Sequence, residues 1–307
     1  MAITESERIW MDGKMVDWAD AKIHVLTHAL HYGSGVFEGI RAYETPRGPA
    51  IFRLNDHIDR FFKSAKILLM DMPFSREELI AATKAVVVEN KLKSCYLRPI
   101  AYLGYGEMGL NPLLSKTNVA IAAWPWGAYL GEEGLAKGIR VKISSWQRHD
   151  PNAIPPAAKC TGMYVNSSLA KIEAVKSGYD ECILLSPQGT VSECTGENIF
   201  IVKGRRVITP PISAGALDGL TRDAIMVLAR EHDFEVQEGT LLRSDLYLAD
   251  EIFLTGTAAE VVPVASVDDR EVGDGRPGSV TKELQAAYFD LVKGKSLTHP
   301  EWLDYVE

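Results

Sequence analysis

Basic charge is the scarcer sign in this sequence: 33 Lys and Arg stand against 41 Asp and Glu, a net charge of −8 over 307 residues. Nucleic acid is therefore not an expected partner, because binding a phosphate backbone needs a basic face. A local basic pocket for one small phosphate remains compatible with that charge. Cysteine is scarce too. Cys95, Cys160, Cys182 and Cys194 are the whole set, and none forms a C-x-x-C pair, which excludes a zinc-ribbon or redox motif and leaves no disulfide scaffold for a chain this long. No run reaches the roughly 18 apolar residues of a membrane span. The polar N-terminal segment lacks a basic region followed by an apolar one, so no signal peptide is expected. Repeats and low-complexity tracts are missing as well. The expectation is a reduced, cytoplasmic protein with no membrane contact.

What is present is an ordinary globular composition, 46% hydrophobic and 24% charged, sufficient for a sizeable core. Helical and strand-like patterns alternate, which implies a mixed α/β fold. Residues 55–70 read as an amphipathic helix capped by Asn55, with Ile58, Phe61, Phe62, Ala65, Leu68 and Leu69 on its apolar stripe. Ser75 and Glu78 fit a capping box opening a second helix through Leu79, Ala82, Val86 and Val87. Strands are expected over 96–103, 118–123, 140–146, 181–185, 198–202, 206–209 and 251–255, and helices over 163–176, 221–232 and 282–292. The turn-forming, aromatic stretch from Trp124 to Gly131 marks a boundary. The expected organisation is a small α/β domain over 1–127, a linker loop over 128–138 and a larger domain over 139–307.

Several signals have ordinary explanations. Gly33-Ser34-Gly35-Val36-Phe37-Glu38-Gly39 looks like a phosphate loop, but its third glycine comes one residue late for a dinucleotide site and no Gly-Lys-Ser/Thr follows. His24, His28 and His31 have helical spacing for metal ligands, yet no acidic residue joins them in register, so a structural role is favoured and no metal site is expected. Asp56 and Asp59 lie near Arg60 and Lys63, where surface ion pairs are the default.

Three segments are less ordinary. In Pro155-Pro156-Ala157-Ala158-Lys159-Cys160-Thr161-Gly162, a lysine follows four uncharged residues. Desolvation lowers an amine's pKa and makes it nucleophilic, as Schiff-base chemistry requires; an exposed loop lysine is the competing reading. In Ser192-Glu193-Cys194-Thr195-Gly196-Glu197-Asn198, two carboxylates precede an apolar strand. A buried carboxylate there needs a cationic or hydrogen-bonding partner, which a protonated pyridine nitrogen can be; a polar hairpin turn is the alternative. Leu217-Asp218-Gly219-Leu220-Thr221-Arg222-Asp223 opens a helix whose first N–H groups and threonine hydroxyl suit an anion, or whose Thr221 simply caps it. Thr255-Gly256-Thr257-Ala258 ends a strand in small and hydroxyl residues that could line the same site.

Together these segments resemble the class IV aminotransferase family, of the branched-chain type. The likeness also takes in His28-Ala29-Leu30-His31-Tyr32-Gly33, Val36-Phe37-Glu38-Gly39-Ile40-Arg41, Tyr96-Leu97-Arg98-Pro99, Trp124 to Gly131 and Ala249-Asp250-Glu251, in order over nearly the whole chain. It implies a two-domain fold whose larger domain has a distorted barrel-like β core. It also implies pyridoxal 5'-phosphate as cofactor, joined to Lys159 as a Schiff base. By the same resemblance Glu193 partners the ring nitrogen and Tyr164 the phenolic oxygen, while Arg60, Leu220, Thr221 and Thr257 take the phosphate and Gly196 joins the cofactor site. Tyr96, Thr257 and Ala258 are the implied pocket for the substrate α-carboxylate, with Phe37, Tyr32, Tyr129 and Gly39 lining the side-chain pocket and Met108 closing it. Arg98 would receive the distal carboxylate of glutamate beside that apolar wall. The implied partners are small amino acids and 2-oxo acids, and the implied assembly is a homodimer or a higher oligomer of dimers.

Cys194-Thr195 replaces the Gly-Ala of some relatives, which leaves the pocket volume open. The implied reaction is ping-pong transfer between Leu, Ile or Val and 2-oxoglutarate. Its rivals on the same scaffold are a D-amino acid or R-selective amine aminotransferase and an aminodeoxychorismate lyase. A binding module without activity is the rival outside catalysis.

Overall fold

The computed structural model describes residues 3–127, 129–296 and 298–306. Two compact units are present: Met1–Gly127 with Ala158–Met163 and Leu291–Glu307, and Ala128–Ala157 with Tyr164–Asp290. Two segments expected in the larger domain thus belong with the N-terminal residues. Hydrogen bonding explains both. Thr161 Oγ1 donates to Gly33 O at 2.8 Å, and the strand Leu303–Tyr305 pairs antiparallel with Gly48–Phe52. Ala128, the first residue of the expected linker, lies outside the described residues, and Gly131–Lys137 forms a short helix.

The first unit is built on a sheet ordered Leu303–Tyr305, Gly48–Phe52, Ile40–Thr45, Cys95–Leu103, Thr117–Trp124, Arg8–Met11 and Lys14–Asp17, with Gly35–Phe37 also paired to Cys95–Leu103. Its helices are Leu54–Ile67 and Arg76–Glu89. The second begins as expected: Ser75 Oγ accepts from Glu78 N and the Glu78 carboxylate accepts from Ser75 N, while Leu79, Ala82, Val86 and Val87 are buried. The first helix differs at its start. Arg53, in the left-handed region at φ 52°, precedes it without a side-chain cap, and Asn55 instead donates to Asp304 at 2.9 Å. Ile58, Phe61 and Ala65 are buried as expected, but Leu69 lies beyond the helix end and is 74% exposed.

The second unit's sheet runs Val191–Cys194, Glu181–Leu185, Ile139–Gln147, Glu260–Val267, Glu251–Gly256, Asn198–Lys203, Arg206–Thr209 and Glu235–Glu238, with Arg270–Glu271 paired to Glu260–Val267. Residues from seven of its strands, including Val141, Ile183, Val191, Ile199, Ile208, Leu254 and Val264, share one buried apolar cluster. A sheet contributing one face from so many strands to a single core is curled around it. The helix Leu220–Glu231 links two strands that pair in parallel, Arg206–Thr209 and Glu235–Glu238, as a crossover connection requires.

Candidate active site

Within the first unit, the backbone of Lys159 is held at both ends. Its N–H donates to Ser64 Oγ at 3.1 Å, and its carbonyl accepts from Phe37 N at 3.0 Å. Ala158 and Cys160 on either side are buried, so the half-buried Lys159 is a fixed residue and not one of a loose loop. Its Nζ lies 4.9 Å from the Phe37 ring centroid, and the Arg98 guanidinium carbon lies 4.7 Å from the same ring. Arg98 Nη2 donates to the Tyr96 hydroxyl at 3.3 Å, while its buried Nε has no hydrogen-bond partner. Gly39 packs so closely on Tyr96 that any Cβ would collide with the phenol oxygen. The structure therefore gathers Lys159, Phe37, Gly39, Tyr96 and Arg98. It does not place Tyr32 or Met108 in that group: Tyr32 lines a separate hollow with His28, Leu68 and Leu110, and Met108 is exposed.

Arg60 points inward, away from the surface acids expected to pair with it. Asp56 pairs with Arg53 and Asp59 with Arg76. Arg60 Nε and Nη2 donate to the two Glu38 oxygens at 2.7 and 2.8 Å, and His57 Nδ1 is 2.7 Å from Glu38 Oε2. Burial alone would raise the Glu38 carboxyl, but Arg60 and His57 outweigh it and hold it well below the usual carboxylate range. Burial pushes His57 down despite the pull of Glu38, and His57 Nε2 has no hydrogen-bond partner. The sequence reading missed Glu38 as the partner of Arg60; its position inside Phe37-Glu38-Gly39 was the available signal. His28 bonds Ser34 Oγ and Gly109 O, and His31 bonds Val25 O.

In the second unit, Glu193 is buried beside Arg148, with Oε1 to Nη2 at 2.5 Å. Leu217 N donates to its other oxygen at 3.0 Å, and Arg148 also donates to Ser167 Oγ at 3.2 Å. Arg148 is a second residue that sequence reasoning missed, since nothing local marks it as a carboxylate partner. Segment 193–198 is a strand end followed by a turn, closed by Cys194 N donating to Glu197 O at 2.7 Å. Asn198 then donates to Leu217 O at 2.9 Å. The next helix starts at Leu220 with Gly219 as its N-cap and no side-chain cap, so Thr221 lies in the first turn and is not the cap. Thr257 and Ala258 form the tight turn between the paired strands Glu251–Gly256 and Glu260–Val267. Tyr164, Tyr129, Thr195 and Gly196 line a groove of about 580 Å³.

These donor sets fit pyridoxal phosphate. A guanidinium, a helix N-terminus lacking a side-chain cap and the Thr221 hydroxyl are phosphate donors. A buried carboxylate can support a protonated ring nitrogen, and a lysine amine such as that of Lys159 is the group that can join an aldehyde.

The chain belongs to the class IV aminotransferase family, whose sequence pattern it matches over residues 35–267. Among its relatives, a branched-chain-amino-acid aminotransferase of Pseudomonas aeruginosa is 53% identical, over 97% of each chain. The crystal structure of the Escherichia coli branched-chain amino acid aminotransferase superposes with a TM-score of 0.97 at 49% identity, covering 99% of this chain and 100% of that one. The branched-chain amino acid aminotransferase of Thermobaculum terrenum, solved in its PLP form, has a TM-score of 0.92 at 35% identity, with 98% and 99% covered.

Proposed function

We propose that this chain catalyses reversible amino transfer between L-leucine, L-isoleucine or L-valine and 2-oxoglutarate, with pyridoxal 5'-phosphate carried on Lys159. The observation that carries the reading is the Phe37 ring, contacted by both the Lys159 amine and the Arg98 guanidinium. An apolar wall suits a branched side chain, and a buried guanidinium nitrogen without a partner suits the distal carboxylate of glutamate. One pocket can thus serve both half-reactions.

When bound, the cofactor supplies an aldehyde carbon and an electron-accepting ring. Lys159 Nζ would take the substrate's α-proton as general base and return it as general acid. Glu193, fixed by Arg148 and Leu217 N, keeps the ring nitrogen protonated. Tyr164 donates to the phenolic oxygen. Arg60, Leu220, Thr221 and Thr257 take the phosphate, with Gly196 beside the cofactor. Tyr96, Thr257 and Ala258 receive the α-carboxylate, and Phe37, Gly39 and Tyr129 line the side-chain pocket. Tyr32 and Met108, both at the surface, are suited to completing the pocket of a second subunit. Exposed Ile23, Val25, Leu30, Leu110 and Leu114 support a homodimer or a higher assembly of dimers. The two units serve as the smaller and larger domains, with 128–138 as the linker. Among the described residues no helix is long and apolar enough to cross a membrane, which suits a cytoplasmic enzyme.

Half-reaction spectroscopy tests the proposal. L-Leucine should convert the cofactor to its amine form, whereas D-alanine and R-phenylethylamine should not; the reverse order would assign the D- or R-selective activity. Pyruvate release from aminodeoxychorismate without an acceptor would assign the lyase. Lys159→Ala should abolish both the absorbance of the lysine-bound cofactor and turnover.

A further inference from the structure

Segment 193–198 ties three parts of the second unit together. Glu193 accepts from Leu217 N. Asn198 bonds Leu217 O and packs against Gly219 at the helix start. Gly256 packs so tightly on this segment that a Cβ there would stand 3.2 Å from Gly196 O and 3.4 Å from Glu197 Cγ. The proposed partner of the ring nitrogen, the phosphate helix and the Thr257 turn are all registered against this one turn.

Beneath it lies a charged cluster that the reaction does not use. Glu181 is fully buried. Its Oε2 is 2.7 Å from Lys171 Nζ, and its Oε1 accepts from Cys182 N at 2.8 Å and from Thr195 N at 3.3 Å. Lys171 also donates to Asp180 O at 2.6 Å and lies 5.7 Å from the Tyr129 ring centroid. Glu197, likewise buried, accepts from Gly196 N at 3.1 Å. Glu181 thus pairs directly with Lys171, and the buried Glu197 lies within the influence of both charges.

We propose that Lys171, Glu181 and Glu197 form a positioning cluster that sets the 193–198 turn, and through it the cofactor's ring and phosphate contacts. The inference rests on the functional reading above. Charge counting describes how the cluster works. Burial, and then the Glu181 charge, raise the Glu197 carboxyl to about 8, against the opposing pull of Lys171. Lys171 itself is raised, since Glu181 outweighs the effect of burial. Glu193 and Cys194 from its own turn also interact with Glu197, Cys182 from the neighbouring strand acts on Cys194, and Tyr129 acts on Lys171. At neutral pH Glu197 is a neutral acid. Above about 8 it becomes a buried anion, bonded to Gly196 N.

The test is the affinity of the cofactor-free protein for pyridoxal phosphate at pH 7 and pH 9. The ratio of the wild-type dissociation constant to that of Glu197→Gln should be near one at pH 7 and rise roughly ten-fold at pH 9, since the amide keeps the neutral acid's shape but cannot ionise. Because both proteins share Lys159 and the cofactor's own titrations, the ratio isolates Glu197. Lys171→Met should weaken binding roughly ten-fold at pH 7 and speed amide exchange at Thr195 and Gly196, while Lys171→Arg restores both. A ratio that does not change with pH, or a folded Lys171→Met protein with wild-type affinity and exchange, overturns the proposal. If Lys171→Met does not fold, the Glu197→Gln ratio decides alone. A wild-type protein that binds no pyridoxal phosphate at either pH instead sinks the functional reading.

Discussion

Arg98 shows how much one side chain can be asked to do. Its guanidinium touches Phe37 and the Tyr96 hydroxyl, yet its buried Nε has no partner. A buried donor left unfilled costs free energy, and a substrate carboxylate is the group that would fill it. A hydrocarbon side chain has no use for that donor. Arg98→Met should therefore split the two substrates: KM for 2-oxoglutarate rises roughly ten-fold or more, while KM for leucine changes far less. Equal loss for both would show that Arg98 only supports the pocket wall. Lys159, Glu193 and Arg98 stand out in the sequence because each belongs to an ordered motif. Their partners do not. Glu38 on Arg60 and Arg148 on Glu193 are pairings made by the fold over long chain separations, and no local spacing announces them.

At the scale of elements, legibility followed the local physics. Ser75-x-x-Glu78 is a complete capping signal contained in four residues, and the helix starts there. Ser75→Ala removes one of its two reciprocal bonds and should cost about 1 kcal/mol, read as a lower urea midpoint with unchanged cofactor affinity. Asn55 offered only a residue type, and the helix begins without it because Arg53 adopts a left-handed conformation that no propensity predicts. The hairpin Arg8–Met11/Lys14–Asp17 has its own local signal: Asp12-Gly13 is a favoured two-residue turn, and both residues have positive φ, 46° and 90°. The strand Glu260–Val267 was hidden for another reason. It is buried along most of its length and pairs with three neighbours, so it shows no alternation of apolar and polar residues.

On the scale of the whole chain, two buried carboxylates give stability opposite dependences on pH. The folded pKa of Glu38 is depressed from 4.5 by Arg60 and His57 against the effect of burial. Its contribution is complete above the unfolded value of 4.5 and is lost as pH falls below it, because the unfolded chain then binds a proton that the folded one refuses. Glu197 runs the other way. Its folded pKa is raised from 4.5 to about 8, so the folded chain holds the extra proton across that window. The penalty on the fold grows as pH climbs from 4.5 and levels off above about 8. A urea-midpoint profile of the wild-type protein should therefore fall on both sides of a maximum. Glu38→Gln should lower the midpoint at neutral pH, since it removes one partner of a buried ion pair and leaves the Arg60 charge uncompensated, and it should flatten the acid limb. Glu197→Gln should leave the acid limb alone and flatten the slope between 4.5 and about 8. Because Glu38 and Glu197 belong to different units, hydrogen exchange should place the acid-sensitive protection in the helix Leu54–Ile67 and the alkali-sensitive protection in the strand Val191–Cys194. Both limbs appearing in one and the same unit would refute the assignment of the two slopes to these two residues.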